Sequence, residues 1–266
     1  MARPATFPEI WRSRGIVLRL AQAELRNRYS GSALGVLWAL IQPAMVMAVF
    51  WFVFSYGLRV TSPEGEPAFV ARLLVGLAAW FCFSEAVSNG AHAVTGSAYL
   101  VKKVAFPLEL LPLAPVIAAV MVHLGVLACL VAGLALGGSW GGWRLLHLPL
   151  YLAAVSLLAA GFAYWLAALQ VFQRDVAQTA TLLLQIWFWM TPIVWSFAMF
   201  PPEVATVLGW NPMAYVVDGY RYALLPEVAA PPALHHALSF WLTACLLFAS
   251  GVAMFRRLRA DFADVL

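Results

Sequence analysis

Long stretches of this chain lack the charged residues that punctuate soluble helices. Ala33–Leu58 is 26 residues without a charge. Leu73 to about Val94 follows, interrupted by Glu85 and His92; Leu110–Leu136 carries only His123, and Leu145–Val171 only His147, near its start. Val176–Met199 and Ala237–Phe255 carry none. A helix needs about 20 apolar residues, at roughly 1.5 Å each, to cross about 30 Å of hydrocarbon. The pattern therefore predicts an all-α integral membrane fold with six transmembrane helices, over 33–58, 73–94, 110–136, 145–171, 176–199 and 237–255.

Two intervening segments have a character of their own. Thr6-Phe7-Pro8-Glu9 has the form of a helix-capping box, with Pro8 where its missing N–H costs little. Beyond it Ile10, Trp11, Val17, Leu18, Ala21 and Leu25 recur near helical spacing in an arginine-rich background. This predicts an amphipathic helix over 8–29, lying on the membrane face. On the other side, 200–236 holds Pro201, Pro202, Pro212, Pro226, Pro231 and Pro232. It is too broken for one span and is expected to form short helices or a re-entrant hairpin, shielded from lipid by protein or water.

Composition agrees. The 266 residues are 64% hydrophobic and 11% charged, with mean hydropathy +0.85, against roughly 45–50% and 25% in soluble domains. A soluble fold of this size could not hide so much apolar surface. The first 28 residues are broken by six arginines and have no apolar core, so they do not read as a secretory signal. With the N-terminus inside, twelve Lys/Arg fall on the cytoplasmic side and four (Arg59, Arg72, Arg144, Arg221) on the other. That asymmetry puts both termini in the cytoplasm, and the net charge of +4 needs no nucleic-acid partner. Cys82, Cys129 and Cys245 sit singly in apolar runs and read as buried thiols.

Candidate chemistry is sparse. No G-x-x-x-x-G-K-[ST] occurs, so the chain has no P-loop with which to bind ATP. There is no HExxH, no GxSxG and no carboxylate pair within a span, and the five histidines are scattered. No metal or other cofactor is expected on this chain. An ionisable group at mid-span costs about 2.5–3.5 kcal/mol, which singles out Glu85. It shares a face with Ser88, Asn89, His92 and Thr95, a stripe that fits either a watered path or a polar contact between helices. His123 reads as a hydrogen-bonded core residue, and Arg174-Asp175 as the pair orienting the turn before the fifth span. Aromatics crowd the first and fifth spans, as Phe50-Trp51-Phe52-x-Phe54-x-Tyr56 and Trp187-Phe188-Trp189. Their spacing fits packing, and their flat faces also suit sugar rings. Gly31-x-x-x-Gly35 and Gly133-x-x-x-Gly137 could bring helices close.

Leu25-Arg26-Asn27-Arg28-Tyr29-Ser30-Gly31-Ser32-Ala33-Leu34-Gly35-Val36-Leu37-Trp38 through Pro43 resembles the R-x-R-Y-x-x-S-x-L-G-x-x-W-x-x-x-x-P signature of ABC-type polysaccharide exporter permeases. Phe106-Pro107-Leu108-Glu109-Leu110-Leu111-Pro112 resembles that family's F-P-x-E-x-x-P loop, and Trp210-Asn211-Pro212 with Arg221 its N-P…R segment. Glu24-Leu25 departs from the family's frequent R-D. The resemblance spans essentially the whole chain and implies a type-2 exporter fold working as a homodimer. Two copies of a separate ATPase subunit would carry the ATP and Mg.

On that resemblance the substrate channel would involve Trp38, Trp51, Phe54, Gln185, Trp187 and Trp189. ATPase docking would fall to Arg26, Arg28, Tyr29, Lys102, Lys103, Phe106, Pro107 and Glu109. Asn211, Pro212 and Arg221 would belong to an external gate, while Glu85 and His92 are the polar intramembrane residues. The expected cargo is a lipid-linked polysaccharide of O-antigen, capsule or teichoic acid type, crossing the bacterial inner membrane with or without further envelope export proteins. The scarcity of cations in the spans mildly favours a weakly charged chain. Three rivals share some of the pattern. These are a drug or small-molecule ABC permease, a membrane transferase for lipid-linked sugars, and an ion channel or proton-coupled carrier centred on Glu85.

Overall fold

The computed structural model describes residues 14–57, 66–103, 106–138, 141–227 and 229–266, without the side chains at 66, 67 and 103. The capping motif at Thr6–Glu9, with Ile10 and Trp11, lies outside the described residues. Among the described residues five helical stretches are long and apolar enough to cross a bilayer: Gly35–Gly57, Ala68–Ala91, Leu108–Leu136, Gly142–Gln170 and Leu234–Leu258.

In chain order, α1 is Arg14–Arg28 and α2 is Trp38–Phe52, prolonged by a π-turn at Val53–Gly57. Then come α3 (Glu66–Ala91), α4 (Ala98–Lys103), α5 (Leu113–Leu136) and α6 (Leu148–Gln170). After them follow α7 (Val176–Met190), α8 (Pro202–Gly209), α9 (Pro212–Leu224), α10 (Leu234–Leu258) and α11 (Phe262–Val265).

The fifth apolar run behaves differently from its hydropathy. Helix α7 has 15 residues, about 22 Å at 1.5 Å per residue, short of a roughly 30 Å core. It stops because Pro192 disfavours the helical region for the residue before it; Thr191 is extended, with φ −99° and ψ 136°. Ile193-Val194-Trp195 beyond the break is as apolar as the helix, so hydropathy alone runs on to Met199. The proline-rich segment then forms two short helices, α8 and α9, each opened by a proline at its first position, where no N–H is missed. Almost every residue of α9 is buried, by α3, α6 and α10, and its backbone is thus shielded as an irregular segment in a membrane must be.

Helix α3 is the hub, touching α2, α5, α6, α7 and α9. Lipid gives helices no hydrophobic reason to associate, so close packing must hold them together. Small residues supply it. A Cβ on Gly90 of α3 would lie 2.6 Å from the Ala163 Cβ on α6, and one on Gly251 of α10 would lie 2.8 Å from the Gly161 oxygen. The G-x-x-x-G pairs do not act this way. Gly31 and Gly35 take φ of 79° and 52° in the turn between α1 and α2, a region that favours glycine. Gly133 has nothing within 4 Å, and Gly137 is the C-cap of α5.

Helix α1 buries Val17, Ala21 and Leu25, one face at i, i+4 and i+8. Ala21 and Leu25 pack with Ala118 and Val122 of α5, so the amphipathic helix is fastened to the bundle as well as suited to the membrane face.

Candidate functional site

One end of the bundle carries α1, α4 and α11 and most of the basic residues. Here Arg28, the last residue of α1, donates from Nη1 to Glu85 Oε1 on α3 and from Nη2 to Glu24 Oε1 at 3.4 Å. Burial pulls the Arg28 pKa down, and contact with Glu85, then Glu24, more than reverses that and leaves it raised. Glu85 is therefore an ion-paired link between two helices. It also borders a cavity of about 350 Å³ that Arg28, Gln42, Ser88 and His123 help to line. Asn89 turns its amide back to the Glu85 carbonyl at 2.8 Å. His92 lies exposed just past the end of α3, in a turn and not within the helix where the polar stripe suggested it.

The F-P-x-E loop is locked from two sides. Glu109 is fully buried, with Oε1 accepting from Arg259 Nη1 at 2.6 Å, while its carbonyl accepts from the Tyr164 hydroxyl at 2.7 Å. Around it Leu111, Tyr164, Phe255 and Phe262 form a second core, with Leu100, Val101 and Phe106 packed on it. This block joins α4, the loop, the ends of α6 and α10, and the tail α11. Of the residues assigned to docking, Arg26 and Lys102 are exposed, Arg28, Tyr29, Phe106 and Pro107 half-buried, and Glu109 enclosed; the Lys103 side chain lies outside the described ones. The turn between α6 and α7 is organised by Gln170 more than by Arg174-Asp175. Gln170 Oε1 accepts from Ala177 N at 2.7 Å, and its Nε2 donates to the Arg174 carbonyl at 3.1 Å.

Helices α2 and α7 meet through one ring pair, Phe50 edge-on to Phe188 with ring centres 5.7 Å apart. Both are exposed along much of their length. Trp38, Trp51, Gln185 and Trp189 are exposed, and Phe54 is half-buried against Phe50 and Phe69. Trp187 turns inward, edge-on to Trp80, Phe83 and Phe162.

At the opposite end the N-P…R residues act as ties. Asn211 Oδ1 caps α9 by accepting from Met213 N at 2.9 Å and also accepts from Trp187 Nε1 at 2.8 Å. Its Nδ2 donates to Thr191 Oγ1 at 3.0 Å and to the Met190 carbonyl at 3.2 Å. One side chain thus fixes α9 to the broken end of α7. Arg221, 8% exposed, donates to the carbonyls of Ile193 (3.1 Å) and Arg72 (3.3 Å) and to Asp218 at 3.4 Å. Arg144 donates to the carbonyls of Pro226 and Ala229 and lies over the Tyr222 ring. His123 reaches across from α5 to the Tyr220 hydroxyl at 2.9 Å, a core hydrogen bond. Below the 192–199 segment lies a cavity of about 710 Å³. His235 and His236 adjoin Trp210; among the described residues no three His, Cys, Asp or Glu side chains gather as a metal site.

These features define a polytopic helical membrane protein whose buried polar groups tie its helices together at both ends. Residues 17–225 match the ABC-2 type transporter family, and the chain belongs to it, as a transporter subunit and not an enzyme. It is 31% identical over 259 residues to the O-antigen export system permease protein RfbA of Myxococcus xanthus, covering 96% of this chain and 97% of that one. It is 24% identical over 256 residues to a protein of the same name from Klebsiella pneumoniae (94% and 95% covered). With the polysialic acid transport protein KpsM of Escherichia coli it shares 22% over 236 residues (88% and 89%).

Proposed function

We propose that this chain is the membrane subunit of an ATP-driven exporter of a lipid-linked polysaccharide, resident in a bacterial inner membrane with both termini cytoplasmic. The observation that carries the reading is end-to-end similarity to permeases named for O-antigen export and polysialic acid transport. That alignment, together with the R-x-R-Y…P motif, favours polysaccharide export over a small-molecule exporter or a transferase.

Two copies pack through the exposed faces of α2 and α7, and the glycan passes between them. The exposed surfaces of these helices support this, among them Trp51, Gln185 and Trp189. Neither helix carries a charge, which suits a weakly charged chain. Two ATPase subunits, which bind the ATP and Mg, press on Arg26 and Lys102 around α1 and α4. Movement of α1 reaches α3 through Arg28 and Glu85; movement of α4 reaches α6 and α10 through the block around Glu109. The segment 200–236, held by Asn211, Pro212 and Arg221, closes the external side.

Copurification with the ATPase encoded beside it, followed by glycan-stimulated ATP hydrolysis, tests this reading. Failure to bind any ATPase subunit sinks it. For the channel, Trp51→Ala and Trp189→Ala are expected to impair export with assembly intact; normal export in both removes these residues from the path.

A further inference from the structure

The 710 Å³ cavity at the far end falls within the size range of ligand pockets, about 300–1,000 Å³. Its wall begins at Pro192, where α7 stops, so it opens next to the external end of the proposed channel. Three kinds of surface meet in it. Trp195 and Phe197 supply aromatic area, Tyr215 a hydroxyl, and Asp218 a carboxylate.

The polar groups differ in how far they are already satisfied. Arg221 uses its donors on two backbone carbonyls and Asp218, and Arg72 is itself engaged. Among the described residues Asp218 receives one long contact, at 3.4 Å, and 39% of its side chain is accessible. A carboxylate offers about four acceptor positions, so most remain free on this residue of the cavity wall. The Tyr215 hydroxyl has no hydrogen-bond partner among the described residues. An anion would meet the Asp218 carboxylate beside Arg72, Arg221 and His236, and would find the Arg221 guanidinium already occupied. A polyhydroxylated neutral ligand would find open acceptors and aromatic surface.

We propose that this cavity is an exit-side sugar site, in which Asp218 and Tyr215 hydrogen-bond hydroxyls of one or two neutral glycan residues leaving the channel. The proposal rests on the export reading and adds to it a second, charged-acceptor contact point outside the uncharged channel. Asp218 and Tyr215 are binding residues here, and Arg221 positions Asp218.

The test uses the permease in nanodiscs and polysaccharide released by mild acid from the surface of the encoding organism. Saturation-transfer NMR reads contact between the two. Wild type is expected to give sugar signals, and Asp218→Asn and Tyr215→Phe to weaken binding about fivefold or more, the scale of one hydrogen bond to a charged or phenolic group. Neither change removes the Arg221 bonds to Ile193 and Arg72; should Asp218→Asn fail to fold, Tyr215→Phe carries the test. Undiminished binding in the variants overturns the proposal. So does an absence of binding to wild type, or preferential binding of inorganic phosphate that Asp218→Asn strengthens. Export by the reconstituted wild-type complex is scored separately. Its absence sinks the export reading, whereas export with unchanged binding in the variants sinks only the exit site.

Discussion

Arg28 at the end of α1 grips Glu85 on α3, 57 positions away in the chain. The pair is roughly three-quarters buried on both sides, between the exposed ion pairs that contribute little and the enclosed ones that cost much when broken. Arg28→Ala or Glu85→Ala should therefore destabilise the permease by about 1–3 kcal/mol. Reversing one charge should uncouple ATP hydrolysis from export, and exchanging both (Arg28→Glu with Glu85→Arg) should recover much of each loss. Thermal unfolding and export of the five variants check this. Unchanged coupling in both single reversals would remove the link.

Glu109 and Arg259 form a second link, between the F-P-x-E loop and the tail. Removing Arg259 leaves a fully buried carboxylate without that partner, a defect of about 3–5 kcal/mol. Arg259→Ala should loosen the tail and the loop together, read as faster hydrogen exchange across 106–111 and 255–266. Glu109→Gln should be milder, because an amide is cheaper to bury than a charge.

Asn211 has an acceptor role and a donor role, which separate by substitution. Asn211→Asp keeps an acceptor for Met213 N and Trp187 but loses the donors to Thr191 and Met190. Asn211→Ala loses all of them. Stability should fall in the order Asn, Asp, Ala, with the cap alone contributing about 1 kcal/mol. Equal behaviour of Asp and Ala would show that the acceptor contacts do not matter.

Glycines give a contrasting pair. A Cβ on Gly219 would sit 2.1 Å from the Tyr151 ring, so Gly219→Ala should prevent α9 from seating on α6, and Tyr151→Ala in the same chain should restore assembly. Gly133→Ala meets nothing within 4 Å and should be neutral or stabilising by up to about 1 kcal/mol. Yield of monodisperse protein and melting temperature distinguish the two.

The sequence by itself determined the solvent of this protein and the course of most helices. Long uncharged runs have no stable home except lipid, and that depends on composition, not on contacts. It also marked the residues that matter at the ends, since Arg28, Glu85, Glu109, Asn211 and Arg221 all stand out as polar groups in apolar or motif context. What each of them does was decided by the tertiary structure. Glu85 looked equally fit for a watered path or a helix contact because its partner, Arg28, lies far off in the chain. Trp187 entered the channel set through the resemblance, and its packing against Trp80, Phe83 and Phe162 is invisible to spacing, which cannot tell which side of α7 faces α3 and α6. The early end of α7 depends on one proline in an apolar run, which hydropathy averages away. The close helix crossings at Gly90, Gly161 and Gly251 depend on which helices meet, so the G-x-x-x-G spacing pointed elsewhere. Local chemistry is written along the chain, and pairing energies exist only once the chain has folded back on itself.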